Sequence, residues 1–336
     1  MKEAMFYEEL EGDEVRCHLC PWNCKISEGE RGVCRVRENR NGKLYSLSYE
    51  NVSSGNPDPV EKKPLFNFAP GTKTYSIATP GCNWKCKFCQ NWQISQGPLD
   101  GRAIKPEEIV RAAKKSGSKG ISYTYSEPTI FYELAYDTAK LAHEAGLYNT
   151  FVTNGYINKE PIRKIAPYLD AVTVDFKGSG DDDFLQEFAG VPSADPVFQS
   201  LKEYYSQGLH VEITDLIVPR IGDSESKIKE LVEWIVSELG KEVPVHFLRF
   251  YPAHEVQDIP PTDVSKLEKA KEIAKNAGLD YVYLGNVRRE NDINCPECGA
   301  TLVERTVRRT RRINLEGNKC PECGAEVNVS GLRWIE

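Results

Sequence analysis

Between residues 74 and 287, short runs of β-branched and aromatic residues alternate with longer stretches in which apolar positions recur every three or four residues. The runs TYSIAT, GISYTY, YNTFVT, AVTVDF, HVEITDLIV, VPVHFLRF and YVYLG predict strands. PEEIVRAAKKSG after Lys105, IFYELAYDTAKLAHEAG from Ile130 and SESKIKELVEWIVSELG predict helices, the last with Ile228, Leu231, Ile235 and Leu239 on one face. Gly146 and Gly240 stop two of them, as glycine does at a left-handed C-terminal cap. Such repetition implies a parallel sheet with right-handed crossovers, as a β/α barrel or an open doubly wound sheet, and the pattern does not choose between them. In either, chemistry gathers beyond the carboxyl ends of the strands.

The flanks read differently. Residues 1–73 are rich in cysteine and glycine and run into the turn-rich SSGNPDPVEKKPLFNFAPG, which predicts a lobe packed on the core and dependent on metal. Residues 74–288 form the core. In residues 289–336 the hexapeptide CPECGA occurs twice, at 295 and 320, which marks a separate module.

The 43 basic and 50 acidic residues are well mixed and leave a net charge of -7, so nucleic acid or an anionic membrane is not a general partner. No run approaches the roughly 20 consecutive apolar residues that span a bilayer. The start, MKEAMFYEELEGDE, lacks the basic and then apolar layout of a secretory signal, so the cytoplasm is the expected compartment.

There the eleven cysteines have no structural disulfides to form, and every one lies in a cluster. Thiolates are soft ligands that select zinc, Cu(I) or iron–sulfur clusters. Cys295, Cys298, Cys320 and Cys323, in two CPxCG knuckles, predict a four-thiolate zinc ribbon, with iron as the rubredoxin-like alternative. Its RTVRRTRR stretch, with Arg305, Arg308, Arg309, Arg311 and Arg312, reads as a solvated β-hairpin in preference to a phosphate-binding face. Cys17, Cys20, Cys24 and Cys34 make a second closed site, where zinc and a fully ligated [4Fe-4S] cluster both fit the spacing; His18 reads as a bystander. Cys82, Cys86 and Cys89 differ, because three thiolates on a cubane leave one iron open.

Cys82, Cys86, Phe88 and Cys89 fit C-x3-C-x-aromatic-C, the signature of the radical S-adenosylmethionine superfamily, which this chain resembles. The resemblance implies a [4Fe-4S] cluster whose free iron is chelated by S-adenosylmethionine, reductive cleavage to a 5'-deoxyadenosyl radical, and a partial (β/α)6 barrel as the core fold. It implies Phe88 at the adenine pocket, against a plain core phenylalanine. In TYSEPT, Ser126 stands where relatives carry glycine, and Glu127 is implied as the partner of the methionine ammonium, against a cap on the helix starting near Thr129. VTNG and VDFK resemble segments of glycyl radical enzyme activases and bring Asn154, Asp175 and Lys177 to the cofactor, with Val152 in place of the activases' aspartate. For Lys177 the plain alternative is a solvated strand-end lysine. YPAH resembles their LPxH and makes His254 a cofactor contact, against a surface loop histidine.

CxLCPxxC, GxxGxC, DPVEKKPLFNFAPG, GCNWKCKFCQNW, TYSEPTI, VTNGY, HFLRFYPAH, YLGNV and the terminal GLRW together resemble the radical enzyme family of the AmmeMemoRadiSam system. This implies Memo-like and other proteins of that system as partners, together with an electron donor such as ferredoxin or flavodoxin. Three functions follow: a radical enzyme acting on an unidentified substrate, an activase that installs a glycyl radical on a partner protein, and a metal-stapled RNA- or protein-binding protein. Only the first two need an open cluster.

Overall fold

A computed structural model describes residues 1–307 and 309–335, so Arg308 of the basic stretch lies outside the described residues. Eight strands form the central sheet: β1 (Ser54–Pro59), β2 (Lys73–Ala78), β3 (Gly120–Tyr123), β4 (Tyr148–Thr153), β5 (Ala171–Lys177), β6 (His210–Ile217), β7 (Val245–Arg249) and β8 (Val282–Gly285). They lie side by side in chain order. Every pair from β2 to β8 is parallel, and β1 runs antiparallel to β2. Between successive parallel strands run α1 (Pro106–Lys115), α2 (Tyr132–Glu144), α3 (Lys159–Ile165), α4 (Asp195–Ser206), α5 (Glu225–Glu238) and α6 (Val264–Asn276). This order lacks the reversal of a doubly wound sheet, which removes one of the two sequence-based alternatives.

All seven runs read as strands lie in the sheet. Ile228, Leu231, Ile235 and Leu239 are buried, and Gly146 and Gly240 adopt φ of 74° and 108° past their helices. The segment drawn as the end of an N-terminal lobe behaves otherwise. β1 pairs with β2, and residues 63–68 cross one face of the sheet, so a boundary at residue 73 falls inside a hairpin. The cause is the polarity of that face. Thr74, Ser122 and Thr150 are bonded hydroxyl to hydroxyl at 2.7 Å, and Thr173 donates to the Lys63 carbonyl at 2.7 Å. Glu212 accepts from the Asn67 N–H at 2.7 Å and lies 2.6 Å from His246 Nε2, while Tyr283 donates to Asn67 Oδ1. Buried polar groups need partners, and this segment provides them.

The N-terminal residues form two small antiparallel sheets, one of Tyr7–Glu9, Val15–Cys17 and Lys25–Ile26, the other of Lys2–Glu3, Lys43–Ser46 and Arg37–Arg40. The C-terminal module is a three-stranded antiparallel sheet of Ile293–Asn294, Thr301–Thr306 and Arg309–Ile313. It shares a core with the central sheet through Phe66, Tyr281 and Tyr283. Arg305 does not belong to an exposed basic face. It is buried, donates to the Phe66 and Asn291 carbonyls, and lies 3.7 Å from buried Glu61. Arg309, Arg311 and Arg312 are exposed. No described helix is long and apolar enough to cross a membrane.

Candidate active site

A cavity of about 260 Å³ opens beyond the carboxyl ends of the strands, where a sequentially ordered α/β sheet places its chemistry. The loop after β2 brings Cys82, Trp84, Cys86, Phe88 and Cys89 to it, the loop after β3 Tyr125, Ser126 and Glu127, the end of β4 Thr153 and Asn154, and the end of β5 Asp175 and Lys177. Leu216, Leu248 and Phe250 close the far side.

The cysteine loop is held from beneath. Gly81 has φ +105°, and a Cβ there would lie 2.6 Å from Val36 Cγ1, so only glycine allows this approach. Asn83 is fully buried, and sequence reasoning did not single it out although it lies between the first two cysteines. Its Nδ2 donates to the Tyr156 carbonyl at 2.8 Å, its Oδ1 accepts from Asn154 Nδ2 at 2.9 Å, and its carbonyl accepts from Trp22 Nε1 at 2.8 Å. Asn154 thereby fixes the loop that carries Cys82. Burial pushes the Cys82 thiol well up and the Cys86 thiol to about 12, so these sulfurs remain protonated at neutral pH unless a metal displaces their protons.

Glu127 caps the turn that follows it and also lines the cavity. Its Oε1 accepts from Thr129 N–H at 3.0 Å, capping the 3-10 turn Pro128–Phe131, and from the hydroxyls of Thr129 and Thr153 at 2.6 Å. Its Oε2 accepts only from the Asn154 N–H, at 2.8 Å, which leaves a lone pair for the cavity. Burial raises its pKa, while these donors oppose the shift. The neighbouring Ser126 hydroxyl is buried with no hydrogen-bond partner, and Tyr125 holds φ +65° with its hydroxyl bonded to Asp58.

Lys177 is not a solvated strand-end lysine. It pairs with Asp175 at 2.7 Å, and Asp175 also accepts from the Thr214 hydroxyl. Burial acts to lower the Lys177 pKa, but Asp175 and the Cys86 sulfur raise it overall. Phe88 is buried at the cavity wall and packs on Phe184 at 5.5 Å. His254 departs from expectation. It is not among the residues lining the cavity; its ring stacks on exposed Trp92 at 4.9 Å and its Nε2 lies 3.3 Å from Glu255. His254 has φ +53° in the loop after β7, and its ring lies against the helical turn Trp92–Ser95.

Two further cysteine groups lie outside the cavity. In the C-terminal module, Cys295 and Cys323 are 3.6 Å apart and Cys298 and Cys320 3.7 Å, close to the ~3.8 Å edge that 2.3 Å zinc–sulfur bonds impose on a tetrahedron. The knuckles match each other: Gly299 N–H donates to the Cys295 carbonyl and Gly324 N–H to that of Cys320, both at 2.9 Å. In the N-terminal group, Arg37 donates to Cys17 Sγ at 3.4 Å, and burial pushes the Cys34 thiol up to about 11. His18 faces Glu8 at 3.3 Å.

The radical SAM superfamily profile matches residues 76–235, which carry the cysteine loop, TYSEPT, VTNG and VDFK. A Methanocaldococcus jannaschii protein, the uncharacterized MJ0808, is 45% identical over 336 residues, 98% of this chain and 99% of its own. Residues 76–235 are a radical SAM superfamily domain. The pyruvate formate-lyase-activating enzyme of Clostridium pasteurianum is 25% identical over 229 residues, 61% of this chain and 91% of that one. A radical SAM methyltransferase from Sphaerobacter thermophilus superposes with a TM-score of 0.50 at 17% identity, covering 71% of this chain and 70% of that one, and so shares the fold.

A radical SAM domain implies an iron–sulfur cluster and S-adenosylmethionine, and the cavity fits both. Three thiols converge at its wall, enough to hold three corners of a cubane and leave the fourth open. The orphaned Ser126 hydroxyl and the free lone pair of Glu127 Oε2 are groups that a bound amino acid moiety satisfies.

Proposed function

We propose that this radical SAM protein binds S-adenosylmethionine at the open iron of a [4Fe-4S] cluster held by Cys82, Cys86 and Cys89, on a partial (β/α)6 barrel, and abstracts hydrogen from a substrate at the cavity mouth. The convergence of exactly these three thiols with Glu127 in one cavity carries the reading. When bound, cluster and cofactor supply a one-electron reductive cleavage that yields methionine and a 5'-deoxyadenosyl radical. The chain's own residues bind and orient. Glu127 Oε2 would accept from the cofactor ammonium and Ser126 Oγ would donate to its carboxylate. Lys177, neutralised by Asp175, faces carboxylate or ribose, Phe88 lines the adenine, and Leu216, Leu248 and Phe250 exclude water from the reacting carbon. The hyperfine coupling of the reduced cluster to 15N-labelled S-adenosylmethionine tests this: a coupled nitrogen is expected, and its absence at saturating cofactor refutes chelation.

The likeness to the Clostridium pasteurianum activating enzyme supports a second reading, an activase whose substrate is a glycine on a partner protein. A wide depression beside the cavity, lined by Gln90, Tyr251, Asn286, Arg288, Val307 and Arg309, gives room for a polypeptide. Membership of the AmmeMemoRadiSam family, with its Memo-like partners, rests on the joint motif run and belongs to this proposal, as does zinc in the C-terminal ribbon, which the sulfur spacing supports.

A further inference from the structure

The four N-terminal sulfurs share a property with the cavity sulfurs and not with those of the ribbon. Among the described residues, only the ribbon group brings three or more donor atoms within 4.8 Å of one another. Four thiolates on one zinc ion must stand that close, whereas thiolates on separate corners of a cubane stand further apart. Among the described residues the ribbon sulfurs alone have single-ion spacing.

We propose that Cys17, Cys20, Cys24 and Cys34 hold a second, fully ligated [4Fe-4S] cluster that passes electrons to the cluster of the cavity. The site follows from the sulfur geometry, and its electron-transfer role rests on the proposed function above. Two observations show a site built for an anionic cluster joined to the first. Arg37 is 2% exposed, and its Nη1 donates to Cys17 Sγ at 3.4 Å while Nη2 pairs with buried Glu133, which fixes a buried N–H donor against the sulfurs. The two cysteine loops also touch. A Cβ on Gly81, the residue before Cys82, would lie 3.2 Å from the Cys34 carbonyl oxygen. Trp22, two residues after Cys20, donates to the Asn83 carbonyl beside Cys82 at 2.8 Å. Asn158 holds the same loop from the β4 side, its N–H donating to the Leu19 carbonyl at 3.1 Å and its Nδ2 to that of His18 at 2.8 Å.

Cys34 lines a surface depression with Arg31, Arg35 and Gly97, separate from the cavity. An electron arriving there reaches the open site without crossing the space that cofactor and substrate fill. In each transfer the N-terminal cluster passes from the 1+ to the 2+ state and the cavity cluster from 2+ to 1+. A low-potential one-electron donor protein, replaced in vitro by dithionite, restores the first, and no proton moves.

The test uses the full chain with Cys82→Ala, Cys86→Ala and Cys89→Ala combined, reconstituted anaerobically. About four iron atoms per chain, with a half-integer-spin EPR signal after dithionite, are expected. Zinc at about two per chain without iron overturns the site. Should the triple variant not fold, the wild-type chain decides: about eight iron and one zinc support the proposal, and about four iron and two zinc refute it. In fully reduced wild-type protein the two signals broaden each other through spin coupling; two unbroadened, independent signals overturn the electron path. None of these readouts uses S-adenosylmethionine, so failure here is distinct from failure of the proposed function.

Discussion

The carboxylate of Glu127 accepts a hydrogen bond from the backbone N–H of Asn154 at 2.8 Å, which ties the TYSEPT loop after β3 to the VTNG loop after β4. Because Asn154 also donates to Asn83, Glu127 and the cysteine loop are parts of one hydrogen-bonded unit. Glu127→Gln keeps an acceptor for Thr129 and removes the charge. It is expected to weaken S-adenosylmethionine binding about 10- to 100-fold, the worth of a charge-assisted hydrogen bond, with iron content unchanged. Equilibrium binding beside iron analysis checks this, and parallel loss of iron contradicts it.

The Ser126 hydroxyl is buried and unpartnered in the free protein. Ser126→Ala therefore removes a polar group that contributes nothing to the fold, and denaturation should show stability unchanged or raised by about 1 kcal/mol. The same variant is expected to bind S-adenosylmethionine roughly 5- to 10-fold more weakly. A loss of stability with unaltered binding contradicts the assignment.

Arg305 joins the C-terminal module to the segment that fills the sheet face, through Phe66 and Glu61. Arg305→Ala strands Glu61 as a buried charge and is expected to destabilise the protein by about 3 kcal/mol. Chemical denaturation with limited proteolysis measures it, with the first cuts expected beyond residue 288.

Glu212 is buried between His210 and His246. Burial acts to raise its pKa, but the two histidines lower it overall from 4.5 to about 2. The folded state thus binds fewer protons than the unfolded state between these values. Its contribution to stability is complete above pH 4.5 and is lost as pH falls toward 2. Unfolding free energies of wild type and Glu212→Gln measured from pH 7 to 3 should converge on the acid side; a constant difference contradicts the linkage.

The strands and the cysteine loop were legible because their signals are local: runs of period two or unbroken apolar character, and thiols at fixed spacing. So was the convergence of Glu127, Asn154, Asp175 and Lys177, since consecutive parallel strands bring their carboxyl ends together. β1 and the crossing segment 63–68 were not legible. β1 is polar and turn-forming throughout, and the crossing segment mixes Leu65, Phe66 and Phe68 with Lys63, Pro64 and Asn67 without a period, its Asn67 held by partners as distant in sequence as Glu212 and Tyr283. Arg305 reads as one arginine among five in RTVRRTRR, and its own burial against Phe66 and Glu61, contacts far away in sequence, sets it apart from the exposed ones. For His254 a resemblance gives a position in the chain but not the neighbour its ring packs on, which is Trp92. Asn83 lay inside the signature, and its role follows from contacts made 71 and 73 residues away.

The central claim is that three thiolates, and no fourth, hold a cluster on which S-adenosylmethionine is cleaved. Formation of 5'-deoxyadenosine by the anaerobically reconstituted, dithionite-reduced protein tests it most directly. Wild-type protein is predicted to release 5'-deoxyadenosine and methionine in equal amounts, and Cys82→Ala, Cys86→Ala and Cys89→Ala none above background. No product from wild-type protein with a full iron complement, or the same amount from Cys82→Ala, would contradict the account.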